Sequence, residues 1–126
     1  MVCVCVPTDE GKYVKLGHFG DAKYYYHYLF EGGKWRLAKK VSNPFTGQHV
    51  LDEDEEEESE KRINIYEMNK ECDFIVAIAF GKGGQKFMEK RGLGVIKVKP
   101  RTTVEEALQE AERFIKAGVS SEGRLH

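Results

Sequence analysis

The sequence predicts an α/β domain in which a five-stranded mixed sheet carries helices on both faces. Three observations predict this class. Three short apolar runs have the composition of buried strands, an aromatic hairpin follows the first of them, and a segment near the end has clear helical periodicity. The predicted order is β-β-β-α-β-α-β-α. We expect a single domain over residues 1–117 and a disordered tail over 118–126.

The three apolar runs are the predicted parallel strands. They cover Val2–Val6, Phe74–Phe80 and Gly94–Val98 and are rich in β-branched residues, which is typical of strands covered on both faces. We expect Pro7 to close the first strand, since proline cannot donate a hydrogen bond to a neighbouring strand.

The aromatic segment predicts a hairpin. The strands cover Tyr24–Phe30 and Trp35–Val41, and Glu31-Gly32-Gly33 between them is a short turn in which glycine supplies positive φ. Alternation places the side chains of the first strand on two faces: Tyr24, Tyr26, Tyr28 and Phe30 on one, Tyr25, His27 and Leu29 on the other. We interpret His27 as a packed or surface histidine.

Three helices are predicted from apolar spacing and end signals. The first covers Glu60–Lys70, with Ile63, Tyr66 and Met68 facing inward. The second follows Gly81–Gly84, carries Phe87 and Met88, and stops at Gly92. The last begins with a capping box over Thr102–Glu105 and ends at Gly118. Its inward residues recur at helical spacing: Val104, Ala107, Leu108, Ala111, Phe114 and Ile115.

Composition indicates a globular protein, which we expect in the cytoplasm. Charged residues make up 33% of the chain, and the abundance of Lys and Glu is a bias reported for heat-stable proteins. No apolar run approaches the roughly 18 residues of a membrane span, and no secretory leader is recognised. Of the three cysteines, Cys3 and Cys5 share one face of a strand, and we interpret them as small buried hydrophobes and not as a metal pair.

Residues 52–60 form an acidic block that holds eight of the 21 acidic residues and no basic one. The rest of the chain then carries 20 basic against 13 acidic residues, a balance that tolerates an anionic ligand. Such a block is typical of a solvated, mobile loop, and the alternatives are a cation site or a docking element for a basic partner.

Strand directions predict which loops meet. If the three apolar strands are parallel and the hairpin begins antiparallel to the first, four connections leave the sheet at one edge. These are Thr8–Ala22, Ser42–Asp52, Gly81–Gly84 and Lys99–Thr103. Ligands of open α/β sheets bind outside the carboxyl ends of the strands, so this edge is the candidate site. Cys72 and the Glu31-Gly32-Gly33 turn fall at the far edge, where they cannot reach it.

The loops of this edge carry the candidate ligand residues. His18 lies between Gly17 and Gly20, which let the backbone approach a bulky ligand and adopt angles that other residues resist. The turn Gly81-Lys82-Gly83-Gly84 precedes a helix, where free N–H groups and Lys82 favour an anion, although the spacing of a P-loop is missing. Arg101 and His49 are further candidates from neighbouring loops.

The collected motifs resemble the dinitrogenase iron-molybdenum cofactor biosynthesis family, which includes NifX-like carriers, the C-terminal domain of NifB and the core domain of NafY. The resemblance runs from Met1 to about Ile115. The motifs that carry it are V-C-V-P, H-F-G-D-A from His18, Asn43-Pro44, F-I-V-A-I-A-F-G-K-G-G and T-V-E-E-A-L. It implies a ribonuclease H-like fold and non-catalytic binding or carriage of a metal-sulfur cofactor resembling the iron-molybdenum cluster.

The resemblance also implies residue roles. His18 matches the family histidine regarded as a cofactor ligand, Phe19 and Gly20 match its neighbours, and Gly81 and Gly83 match the glycines after the fourth strand. We expect the partners to be the noncovalently bound cofactor and its donor and acceptor proteins, without nucleic acid or membrane, and the chain to be a monomer or weak homodimer. Family members often carry Gly-rich and His-rich sequence after the N-P motif, where this chain has His49 and the acidic block.

Two other functions are compatible with the residues. One is a regulatory or interaction module whose acidic loop docks a basic partner and whose Gly-rich turn binds an anion. The other is an enzyme acting on phosphoryl groups, or a nuclease. A nuclease of the ribonuclease H type needs carboxylates that converge on two metal ions, whereas the first strand offers only Val and Cys.

Overall fold

The computed structural model describes residues 1–46 and 60–118. These residues form the predicted elements in the predicted order, together with a short 3₁₀ turn at Phe19–Asp21 that was not predicted. The strands are β1 (Val2–Thr8), β2 (Tyr24–Glu31), β3 (Lys34–Ser42), β4 (Phe74–Ala77) and β5 (Gly94–Lys97). The helices are α1 (Glu60–Asn69), α2 (Gly84–Lys90) and α3 (Val104–Lys116). The acidic block before Glu60 and the tail after Gly118 lie outside the described residues, so both stay predictions.

The five strands form one mixed sheet in the order β3-β2-β1-β4-β5. β2 is antiparallel to both β1 and β3, while β4 is parallel to β1 and to β5. Four strands therefore point the same way. We call the end of the sheet where they finish the carboxyl edge and the end where they begin the amino edge.

The two faces of the sheet carry separate apolar cores, because successive side chains of a strand point to opposite faces. Cys5 of β1 faces the core formed with α1 and α2, whereas Val4 and Val6 face the core formed with α3. The prediction of helices on both faces is confirmed. No helix in the described parts of the chain has the length and apolar character needed to cross a membrane.

The prediction that Pro7 closes the first strand is wrong, since β1 continues to Thr8. Pro7 lies opposite Tyr25 in the antiparallel pair, and its carbonyl accepts the N–H of Lys15 at 2.8 Å. In a strand the N–H and carbonyl of one residue point to the same side, so the missing N–H of Pro7 faces away from β2 and breaks no bond to it.

Helix α1 differs from its prediction in the residue that faces the sheet. Ile63 is 41% exposed, whereas Ile65 is buried together with Asn69 four residues later. Tyr66 and Met68 are partly buried against the same core, as predicted. The orientation of α1 thus depends in part on the polar residue Asn69, which a prediction from apolar spacing does not consider.

The capping box of α3 is real but lies one residue later than predicted. The hydroxyl of Thr103 accepts the N–H of Glu106 at 3.1 Å, and the Glu106 carboxylate accepts the N–H of Thr103 at 2.9 Å. The Thr102 hydroxyl bonds instead to the carbonyl of Lys99 at 2.7 Å, and the helix begins at Val104, directly after Thr103.

The pairing of β2 with β3 contains a register shift. His27 lies opposite Lys39, while Tyr28 lies opposite Leu37, so Ala38 bulges from β3. β3 is the last strand on its side of the sheet.

Candidate functional site

The loop that carries His18 is attached to the core by the next residue. His18 itself is exposed, whereas Phe19 is 1% exposed and its ring packs on Tyr25 and Phe80, with centroids 5.0 and 5.4 Å away. The N–H of Phe19 donates to the carbonyl of Ala79 at 2.8 Å, and His18 forms a parallel bridge with Ala79. The strand predicted to reach Phe80 ends at Ala77 and continues only as this bridge. His18 is therefore held at the carboxyl edge.

The glycines around His18 differ in what they require. Gly17 has φ 111°, a conformation that other residues resist, and a Cβ there would meet open space. Gly20 has no such angle, and a Cβ there would only touch the end of the Lys61 side chain at 3.7 Å. The expectation of unusual backbone freedom holds for Gly17 and is wrong for Gly20.

The predicted glycine turn leads directly from the end of β4 into α2. Gly83 has φ 83° and precedes the helix, and the N–H of Gly84 donates to the carbonyl of Gly81 at 2.9 Å. Gly84 lies so close to Phe80 that a Cβ would stand 3.3 Å from its ring. Lys82 is exposed at the tip of the turn. The backbone angle thus favours glycine at position 83, and a side chain at position 84 would require the Phe80 ring to shift slightly, so both glycines have a structural reason.

Two cations that the sequence analysis missed join the His18 loop to the glycine turn. Lys61 in the first turn of α1 forms an ion pair with Asp21 at 2.7 Å. Its neighbour Arg62 donates to the carbonyl of Lys82, and its guanidinium lies against Gly83. The only sequence signal was their place at the start of a predicted helix. α1 therefore adds positive charge to the carboxyl edge.

The N-P motif holds a third connection at this edge. The side-chain amide of Asn43 donates to the carbonyls of Ala22 and Gly20 at 2.8 and 3.1 Å, and its oxygen accepts the N–H of Phe45 at 2.9 Å. Asn43 is 7% exposed. It fixes the end of β3 to the His18 loop.

The structure does not bring all the predicted candidates together. Arg101 lines a depression of about 470 Å³ with the first half of the Thr8–Ala22 loop, including Tyr13. The glycine turn borders another depression, of about 450 Å³, beside Lys97. His18 is not among the lining residues of either, as far as the described chain extends. His49 lies outside the described residues, so its role stays a prediction.

A second cluster lies at the amino edge. The Sγ atoms of Cys3 and Cys72 and one ring nitrogen of His27 all lie within 4.8 Å of one another. The two sulfur atoms are 2.7 Å apart, closer than two thiols in van der Waals contact. His27 and Cys72 are buried and Cys3 is half-buried. The prediction that Cys72 lies far from His18 is confirmed, and of the two alternatives for His27 the packed one holds, but the grouping was missed.

Asn69 sets the protonation of the His27 ring. Its amide nitrogen donates to the carbonyl of Ile65 at 3.0 Å, so its oxygen is the atom that accepts from His27 Nε2 at 2.8 Å. The same oxygen accepts the Cys5 thiol at 3.2 Å. His27 Nε2 therefore carries the proton and Nδ1 carries the lone pair. Burial lowers the pKa of His27, which favours the neutral ring.

The thiols of the cluster are not equivalent. The hydrogen bond between the two sulfur atoms lowers the pKa of Cys3 and raises that of Cys72, so Cys3 is the thiol that ionises first. Burial raises the pKa of Cys5 well above its ordinary range. At the mouth of the cluster, Lys39 and Glu71 form an exposed ion pair at 3.3 Å.

Fold and site together define an α/β protein whose carboxyl edge is built from loops around an anchored histidine. A family profile described as dinitrogenase iron-molybdenum cofactor matches residues 1–113, and the chain belongs to this family. The NMR structure of a Thermotoga protein, described as a candidate NifB protein of the DUF35 family, is similar with a TM-score of 0.62. That similarity covers 90% of this chain and 89% of the other at 20% identity, so it concerns the fold. A search of curated proteins gives no significant match.

Proposed function

We propose that this protein binds or carries a metal-sulfur cofactor resembling the iron-molybdenum cluster at its carboxyl edge, without catalysing a reaction. The observation that carries the proposal is the contrast between exposed His18 and buried Phe19, which presents an imidazole to solvent on a fixed loop. Membership of the cofactor family supports it. The strand order 3-2-1-4-5 supports the further proposal that the fold is ribonuclease H-like.

The chemistry of the edge suits a bulky, negatively charged cargo. An imidazole nitrogen can ligate a metal of the cluster. Arg62 and Lys82 bring positive charge to the loops beside His18, where the charge of Lys61 is balanced by Asp21, and this favours an anion. A single protein ligand at an open edge gives weak attachment. Such attachment suits a cytoplasmic carrier that receives its cargo from one protein and releases it to another.

A non-catalytic role is supported by the state of the carboxylate that follows β1. Asp9 forms an ion pair with Lys15 at 2.8 Å and accepts the N–H of Lys23 at 2.9 Å. A two-metal nuclease needs carboxylates that converge on its metal ions, and Asp9 is instead engaged within its own loop.

The test is anaerobic reconstitution of the full chain with Fe²⁺, sulfide and molybdate, followed by metal analysis and visible absorption. Wild type is expected to retain a chromophore, and His18→Ala to bind it at least about tenfold more weakly, because losing a ligand costs no less than losing an outer-shell contact. Leu16→Ala is the matched control, since Leu16 is 68% exposed in the same loop. Equal uptake by all three chains, or no uptake by wild type, would contradict the proposal.

Deleting residues 52–60 distinguishes the carrier function from the alternative function, an interaction module whose acidic loop docks a basic partner. The carrier should keep its cluster uptake after the deletion, or improve it, because the removed segment is negatively charged. Loss of uptake on deletion would argue against His18 as the main attachment point.

A further inference from the structure

We propose that Cys3, His27 and Cys72 form a metal site at the amino edge, separate from the His18 loop, and that it takes Cu(I). The donor atoms of these three residues lie within 4.8 Å of one another. They come from β1, from β2 and from the connection that precedes β4, so the folded sheet brings them together.

The separations are close to those that a single ion requires. Metal–sulfur bonds of about 2.3 Å and metal–nitrogen bonds of about 2.0 Å place the ligands of one ion roughly 3.5–4 Å apart. The pair Cys3 and Cys72, at 2.7 Å, then has to open by about 1 Å, which is within reach of a side-chain rotation. No strand needs to move.

Two of the three donor residues are held in place by hydrogen bonds to neighbouring residues. The backbone of Cys3 bonds to Asp73 in both directions: its N–H donates to the carboxylate at 2.9 Å and its carbonyl accepts the Asp73 N–H at 2.8 Å. His27 is held by Asn69 through Nε2, which leaves the Nδ1 lone pair for a metal. An outer hydrogen bond of this kind is the usual means of orienting a metal-binding histidine.

The donor set selects the ion. Two sulfurs and an imidazole form a soft set that favours Cu(I) or Zn(II) over Mg²⁺ or Ca²⁺. Structural Zn(II) prefers four protein ligands, and open zinc sites fill the fourth position with water. The cluster found in the described residues has three protein donors, one fewer than a structural Zn(II) site needs, and it borders an apolar core. Three donors satisfy Cu(I), so we assign the site to that ion.

The test uses the full chain, reduced and free of oxygen, titrated with Cu(I) against a chromophoric copper chelator. One equivalent of Cu(I) is expected to bind to wild type. Cys72→Ser and His27→Gln should each weaken binding at least about tenfold. Cys5→Ser is the matched control, because Cys5 also bonds to Asn69 yet is not one of the three donors. Cys3→Ser, at a half-buried position, repeats the test if the Cys72→Ser chain does not fold.

Several results would overturn the proposal. Wild type that holds no Cu(I) against the chelator would mean that the sulfur atoms are a dithiol pair and not a metal site. Binding that survives in both Cys3→Ser and Cys72→Ser would place the copper elsewhere, and tighter binding of Zn²⁺ than of Cu(I) would exclude the assigned ion.

The copper site and the His18 site can be tested independently. His18→Ala should bind Cu(I) as wild type does, since His18 lies at the opposite edge. Cys72→Ser should still take up the metal-sulfur chromophore. If Cys72→Ser loses the chromophore while His18→Ala keeps it, the cluster has bound to the cysteines, and the proposed function fails at His18.

Discussion

Each edge of the sheet has a histidine and a buried asparagine, but the two histidines have opposite surroundings. At the carboxyl edge His18 is exposed on a loop that Phe19 and Asn43 fasten to the core. At the amino edge His27 is 1% exposed inside a strand and bonds directly to Asn69. An exposed imidazole on a fixed loop can meet a bulky ligand and release it, whereas a buried one can meet only an ion.

One face of β2 carries side chains that reach toward both edges of the sheet. Tyr25 and His27 lie two residues apart on β2 and so point to the same face. The hydroxyl of Tyr25 donates to the Phe19 carbonyl at 2.7 Å, toward the carboxyl edge, while His27 reaches Asn69. Substitutions near the carboxyl edge and near the amino edge can therefore show whether the two edges contribute to stability independently.

The largest effect is expected from Phe19→Ala. Removing a fully buried aromatic ring should lower the free energy of unfolding by about 3–5 kcal/mol, because the transfer energy is lost and a cavity remains. Urea denaturation measures the change. Leu16→Ala, in the same loop but exposed, should change stability by less than about 0.5 kcal/mol. A small effect of Phe19→Ala would mean that the loop is not fastened to the core through this ring.

Replacing each of the two buried asparagines by alanine should lower the free energy of unfolding by a different amount. Asn69→Ala leaves the His27 Nε2 proton without its acceptor in a fully buried place, and we expect a loss of about 3 kcal/mol. Asn43→Ala should cost about 1–2 kcal/mol, since Asn43 is 7% exposed and water can reach some of its partners. Thermal or urea unfolding compares the two variants. A greater cost at Asn43 would contradict this order, which rests on the deeper burial of Asn69.

Tyr25→Phe should have a moderate effect with a distinctive pH dependence. Burial raises the pKa of Tyr25 well above its ordinary value of 10. The unfolded chain then loses this proton at a lower pH than the folded chain does. Stability from this group is complete below pH 10 and decreases as the pH rises above it.

At neutral pH the loss of the Tyr25 hydrogen bond should cost about 1 kcal/mol. Above pH 10 the variant should lose stability less steeply than wild type, and the two urea midpoints should converge. The buried Cys5 thiol, whose pKa is also raised, contributes equally to both chains. Parallel pH profiles would show that Tyr25 is not held protonated by the fold.

The smallest effects are expected from the ion pairs of the two edges. The Lys61–Asp21 pair is 15% and 32% exposed, and Lys61→Met should cost about 1 kcal/mol. The Lys39–Glu71 pair is 46% and 70% exposed, and Lys39→Met should cost less than about 0.5 kcal/mol. Unfolding measured at low and high salt should show a larger salt effect for the exposed pair. Equal costs would mean that burial does not distinguish them.

Most of the fold could be predicted because apolar periodicity reports burial directly. The continuous apolar runs became β1, β4 and β5, of which β1 and β4 are central, and the alternation of β2 placed Tyr25 and His27 on the buried face. The error in α1 has a clear cause. Its inward face contains the polar residue Asn69. Because apolar spacing does not include a polar residue, it predicted Ile63 as the inward residue instead of Ile65.

The sites were less predictable because they depend on register. Strand directions were enough to bring the His18 loop and the glycine turn to one edge. Cys3 and Cys72, however, are 69 residues apart, and only the pairing of β1 with β4 brings them together. A single sequence does not specify that register. Nor does it specify how α1 is oriented over the sheet, which is what carries Lys61 and Arg62 to the carboxyl edge.

The bulge at Ala38 also affects whether two copies of the chain can associate through the β3 border of the sheet. β3 ends its side of the sheet, so its outer backbone groups could template the addition of a strand from another chain. The bulge breaks the regular spacing of those groups, and Lys39 and Lys40 directly after it add positive charge. Both features oppose the pairing of a further strand along this border.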